Sequence, residues 1–314
     1  MGILLAMQGA ASQGVLWGIM TLGLYITFKI LDFADMTVDG SFALGGSLGA
    51  VLIVSGMNPF LSLLCAALAG ACAGLATGVL HTKLRIPGLL AGILTMIALY
   101  SINIRVMGKA NIPLIGATTI LTSIEQVFGL SKTMSSLSLG VAFSACIVAA
   151  MYWFFGTELG SAIRATGNNE RMVRALGVNT DTMKNLGLMI GNALVALSGA
   201  MVAQSQGYAD VGMGTGTIVI GLASIIIGEV IFGKRFSFWY QLLSVVLGSV
   251  IYRVIIAIVL QLGLKSTDLK LLTAVIVALA LALPVRRTNV ATARKRRLNA
   301  RFTGVATGSE GENA

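Results

Sequence analysis

Apolar runs long enough to cross a bilayer alternate with short polar stretches along this chain, and the alternation predicts its elements. Nine such runs begin at Gly14, Ser41, Pro59, Gly88, Leu137, Asn185, Thr217, Phe238 and Leu269. They cover about 14–31, 41–55, 59–81, 88–104, 137–155, 185–204, 217–232, 238–262 and 269–283. Residues 1–13 carry no charged side chain, so the basic start of a cleavable signal is missing; this segment lies at the interface or begins the first span. Between the first two runs, 32–40 breaks the pattern with Asp32, Asp35, Asp39 and Gly40. Non-helical backbone at that depth must face protein or a water-filled cavity. The stretch 109–135 is too polar to span, and its amphipathic portion 120–130 suits a surface helix. Gly45 and Gly49, and then Gly70, Gly74 and Gly78, recur every four residues, a spacing that lets helices approach closely. The expected fold is an all-α polytopic membrane bundle of eight or nine spans in a domain of 1–285, followed by a basic tail, 286–314, disordered at its end.

Composition agrees: 56% hydrophobic against 11% charged residues, with a mean hydropathy of +0.89, is far from the balance of a soluble domain. Cys65, Cys72 and Cys146 lie in apolar runs without metal-ligand spacing and read as packing residues, with no disulfide and no metal. The run 228–235 has the glycine and lysine spacing of a phosphate-binding loop, but Arg235 stands where Ser or Thr must hold magnesium and no soluble strand precedes it. The single histidine, His81, has no carboxylate or cysteine cluster near it in sequence, so no triad or zinc site is supported. The chain therefore reads as a non-enzyme, and any ATP is bound elsewhere.

One polar, basic island, 158–184, separates the fifth and sixth runs. Asn168 and Asn169 can cap a short helix whose first turn carries Glu170, and Gly177 supplies its left-handed exit. Around that helix Met172, Val173 and Leu176 fall in one sector, with Glu170, Arg171 and Arg174 opposite. Asn179, Thr180 and Asp181 offer caps for the next apolar run. Two readings stand: an ordinary cytoplasmic loop whose cations only set orientation, or a docking element whose apolar face seats in a partner. With the island inside, Lys29, Lys83, Arg85, Lys234, Arg235 and the tail cations Arg286 to Arg301 also fall inside. The N-terminus is then external and the C-terminus cytoplasmic. The net charge of +10 is a topology signal that suits anionic lipid rather than nucleic acid.

The run 162–179, A-I-R-A-T-G-N-N-E-R-M-V-R-A-L-G-V-N, resembles the cytoplasmic loop of permease subunits of bacterial ABC importers, in the class serving branched-chain amino acids, ribose and related solutes. The small-residue stretch 191–200 is similar in character to the helix that follows that loop. Leu31 to Asp35 with Gly45, Gly46 and Gly49 looks like the family's N-F-A-H-G-x-x-x-x-L-G-A signature, from which Asp32, Asp35 and 36–40 depart. The resemblance covers about 14–285 and is strongest in the loop. It implies a homodimeric permease in the bacterial inner membrane, fed with an amino acid or similar small polar solute by an extracytoplasmic binding protein. It also implies separate ATPase subunits that bind ATP and Mg and dock on Arg164, Gly167, Asn168, Glu170, Arg171, Met172, Val173, Arg174, Leu176 and Gly177.

Asp35 and Asp39 are four apart, share a face if helical, and are pathway candidates together with Arg253. An interfacial, solvated role for the two aspartates stands beside that reading. Glu229 and Arg253 lie at different depths of adjoining runs, which disfavours a mutual ion pair. These same acids keep an ion-coupled secondary transporter as the alternative, although no inverted halves are visible; a channel lacks a ring-forming polar filter.

Overall fold

The computed structural model describes residues 2–129, 131–232 and 237–261, with isolated positions between 271 and 278. The ninth run, the tail, and the end of the 228–235 motif lie wholly or largely outside the described residues. Helix α1 (Gly2–Tyr25) continues through a π-helical turn (Ile26–Ile30), so the first span starts well before Gly14. Residues 31–36 are irregular, with Asp32 at φ 53°, and α2 (Thr37–Val54) follows. The break is thus shorter than 32–40, and Asp39 belongs to the first turn of α2.

The Asn58 side chain accepts from the Phe60 N–H, and Pro59 occupies the first helical position, which opens α3 (Pro59–Thr82). Helix α4 (Gly88–Met107) ends on left-handed Gly108, φ 67°. A short strand β1 (Asn111–Pro113) precedes α5 (Ile120–Phe128), the amphipathic surface helix, which a reciprocal Thr119–Thr122 capping box starts. Then come α6 (Lys132–Phe155), α7 (Glu158–Asn168), α8 (Glu170–Ala175) and α9 (Thr180–Gln206). Strand β2 (Tyr208–Asp210) returns antiparallel to β1, with Ile112 opposite Ala209. Helices α10 (Thr217–Phe232) and α11 (Phe238–Gln261) complete the described chain. Among the described residues seven helices are long and apolar enough to cross a membrane; α10, with 16 residues, is shorter. At 1.5 Å per residue it measures about 24 Å, less than the roughly 30 Å hydrocarbon core.

Helix α9 is the axis. A Cβ added at Gly45 would lie 1.9 Å from the Ala196 carbonyl, at Gly199 2.0 Å from that of Phe42, and at Gly74 2.3 Å from that of Leu188. Only hydrogen fits at such contacts, so α2 and α3 lie backbone to backbone on α9. Gly45 opposite Ala196 and Gly49 opposite Ala200 make α2 run with α9; Gly70 at Asn192 and Gly78 at Asn185 make α3 run against it. Helix α1 meets α9 at Gly23 and Gly191, and its other face seats on α11 at Gly14 and Gly18. Most of α1, α2 and α9 is buried, whereas α3, α4 and α6 turn residues such as Leu64, Leu68, Leu94, Ile97 and Trp153 outward, as lipid-facing helices do. Cys72 and Cys146 also face outward and Cys65 is half-buried, so the cysteines do not fill the interior as expected.

Replacing Gly45 with Val forces the Ala196 carbonyl away. The expected loss is at or above the upper end of about 1–3 kcal/mol typical of overpacking. Gly9→Val, where nothing lies within 4 Å, is expected to be nearly neutral. Thermal unfolding of the two detergent-solubilised variants checks the contrast; equal melting temperatures count against the seam.

Candidate functional site

At one end of the bundle the island folds as two helices, where the sequence suggested one. Thr157 caps α7, and Gly167 lets that helix ride against the π turn, where an added Cβ would stand 2.0 Å from the Ile30 carbonyl. Arg164 does not face outward: its Nη2 donates to the Phe155 carbonyl and its guanidinium lies 4.4 Å from the Phe238 ring centroid. Asn168 is the last residue of α7, and Asn169 alone is the N-cap of α8, accepting from the Met172 N–H at 3.1 Å. Gly177 takes φ +85° at the exit, as its position requires.

The predicted apolar face divides. Val173 is 2% exposed, buried in its own chain, so it is not an anchor for a partner; Met172 at 50% and Leu176 at 73% project outward. The side predicted to be basic is a clamp. Glu170 accepts from Lys184 at 2.7 Å and from Arg174 at 2.9 Å, and Arg174 also reaches Thr180 and Asp181, tying α8 to the first turns of α9. Arg171 is exposed and makes no such bond among the described residues. Hydrogen bonding to Lys184 holds the Glu170 carboxyl below the usual carboxylate range against partial desolvation.

A second constellation lies inside the bundle. Asp35 is fully buried; its Oδ1 accepts the Thr37 N–H at 2.9 Å, opening α2, and its Oδ2 accepts from Asn192 Nδ2 at 2.7 Å. Asn192 Oδ1 in turn accepts from Ser41 at 2.7 Å, while the Thr37 and Thr77 hydroxyls meet at 2.6 Å. Asp39 faces elsewhere: it accepts from Gly216 N at 2.9 Å, Thr217 Oγ1 at 2.7 Å and Ile218 N at 3.0 Å, and so caps α10 from α2. The two aspartates therefore do not share a helix face; each serves a different helix start. Counting back from Gly45, Asp39 sits about 15 Å along α9 from its beginning, so α10 starts within the bundle.

The sequence profile of the branched-chain amino acid transport system permease component matches residues 6–285. The chain belongs to this permease family. A tyrosine transport system permease protein of Clostridioides difficile (strain R20291) is 43% identical over 86% of this chain and 88% of its own length. An uncharacterized protein of Rickettsia prowazekii (strain Madrid E) is 33% identical over 87% of this chain and 95% of its own. A solved metal-chelate type ABC transporter in an inward-facing conformation covers 90% of this chain and 85% of its own, with a TM-score of 0.48 at 14% identity.

In the permease, Arg253 sits on α11 with its guanidinium 3.8 Å from the Trp17 ring centroid. It borders a cavity of about 340 Å³ shared with Gln13, Lys132 and Ser136, away from both aspartates, so the three pathway candidates do not converge. Glu229 pairs with Lys29 at 3.0 Å. Asn192 and Lys184 were missed. Asn192 had a signal, since an amide in the middle of an apolar run needs a partner; Lys184 had none beyond its charge.

The Glu170 clamp gives a pH prediction. A carboxyl whose folded pKa lies below its unfolded value stabilises the fold above the unfolded pKa, and that contribution is lost as pH falls through the folded one. Glu170→Gln is expected to cost about 1 kcal/mol or less, as exposed pairs do. Hydrogen exchange at α8 amides should quicken in the variant at neutral pH and in the parent only below the ordinary carboxylate range. Unchanged exchange in both cases refutes the clamp.

Proposed function

We propose that this ABC-type permease subunit is an importer that moves an amino acid inward across the bacterial inner membrane. The energy comes from a separate ATPase subunit that binds ATP and Mg, and an extracytoplasmic binding protein delivers the solute. Two copies form the pathway, with the N-terminus outside and the C-terminus in the cytoplasm. The observation that carries the reading is the α8 knuckle: a short helix clamped by ion pairs to the central helix, presenting Met172 and Leu176 to the exterior. Exposed apolar side chains on a rigid support are what a partner's cleft can bury at little ordering cost. The tyrosine transport permease relative, matched over most of both chains, supports an amino acid as the solute. Arg164, Gly167, Asn169, Val173 and Gly177 act by positioning the knuckle, and Arg171 and Asn168 lie at its rim.

Met172→Asp with Leu176→Asp tests the contact without touching the buried Val173. Exposed substitutions of this kind cost the isolated fold within about 0.5 kcal/mol. Loss of two interface anchors worth about 2 kcal/mol each weakens ATPase binding by several hundredfold or more. The variant is expected to insert normally and to lose the ATPase in co-purification. A variant that keeps the ATPase and still couples hydrolysis to uptake overturns the docking assignment.

A further inference from the structure

Helix α9 ends at Gln206, about 40 Å by helical rise from its start beside the knuckle. There α5, β1 and the segment before β2 roof a cavity of about 590 Å³. Its polar groups are unusual for being unmet. Gln204 is 4% exposed, and its Oε1 accepts the Ile120 N–H at 3.1 Å, which fixes the orientation of the amide. The Nε2 donor on the other side of that amide is buried without a partner. Glu125 has a buried Oε1 that is also unpartnered. Lys132 borders the same space and forms no ion pair with Glu125 or with any other described residue. Leaving a buried donor or acceptor unsatisfied is costly, and a cavity with both a free anion and free donors is completed by a ligand carrying the opposite of each.

We propose that this cavity is a subsite for the zwitterion of an α-amino acid. Glu125 takes the ammonium, Gln204 Nε2 and Lys132 take the carboxylate, and Tyr208, 43% exposed at the rim, meets the side chain. The assignment rests on the amino-acid reading above and adds where the permease itself holds the solute: at the end opposite the ATPase knuckle, where a delivered solute first meets the bundle.

The test is ligand-observed NMR binding to the full permease in lipid nanodiscs, using L-tyrosine, N-acetyl-L-tyrosine, which lacks the ammonium, and tyramine, which lacks the carboxylate. Glu125→Gln should weaken L-tyrosine at least about tenfold and leave N-acetyl-L-tyrosine unchanged. Gln204→Glu keeps the acceptor for Ile120 but opposes a carboxylate, so it should weaken L-tyrosine and N-acetyl-L-tyrosine while sparing tyramine. Equal effects of a variant on all three probes, or none on L-tyrosine, overturn the subsite; a melting temperature held within a few degrees of the parent shows that folding is not the cause. Uptake by the complete transporter separates the two ideas. Amino-acid uptake by a parent complex whose subsite variants bind normally removes the subsite alone, whereas a parent that neither binds nor accumulates any amino acid of a full panel removes the functional reading with it.

Discussion

Where a membrane helix is interrupted, the backbone groups it frees must find partners inside the protein, since no water is at hand. In this permease the turn that joins α1 to α2 and the start of α10 inside the bundle are both closed by side chains of the same short stretch. Asp35 serves the start of α2 and is held by Asn192 of the central helix; Asp39, one turn later, serves the start of α10. A carboxylate suits an exposed helix N-terminus because the N–H groups and the macrodipole both favour negative charge there. Each helix start thus has a carboxylate partner from within the chain, and the two are coupled because Asp35 stands just before α2 and Asp39 lies in its first turn.

The arrangement depends on how near α2 can come to α9. A side chain as small as that of alanine at Gly45 or Gly199 would push the helices apart and pull Asp35 away from Asn192. The glycines are therefore part of the polar site, although none makes a side-chain contact. The same helix begins in the Glu170 and Lys184 clamp and ends at the Gln204 cavity, so knuckle, break and cavity hang on one rigid rod.

Local features were legible in the sequence. Asn169 and Gly177 bracket α8 because capping depends on a few adjacent residues, and the glycine repeats of α2 and α3 fall on the seams their spacing implies. Features set by attachment were not. Which side of a six-residue helix is buried depends on how α7 seats on Ile30, so Val173 could not be told from Met172 and Leu176. Helix α7 itself was hidden by Gly160 and Gly167, poor helix formers that are present because backbone passes close by. The role of Asp39 rests on partners 177 to 179 positions away, beyond any local pattern. The seventh run looked like a full crossing because an apolar half-helix that starts inside a bundle has the composition of a span.

Placement of the acids also bears on the rival mechanism of ion-coupled transport. A carrier that uses Asp35 or Asp39 as its ion site needs a carboxylate that can turn from its partners to a cation or a proton. Both oxygens of each carboxylate already accept bonds from within the chain, three of them from the backbone N–H groups that start α2 and α10. Turning either acid away from these partners would loosen a helix start and leave buried donors unmet, at a cost of about 1–3 kcal/mol for each. The acids are better matched to holding the starts of α2 and α10 in place than to carrying charge.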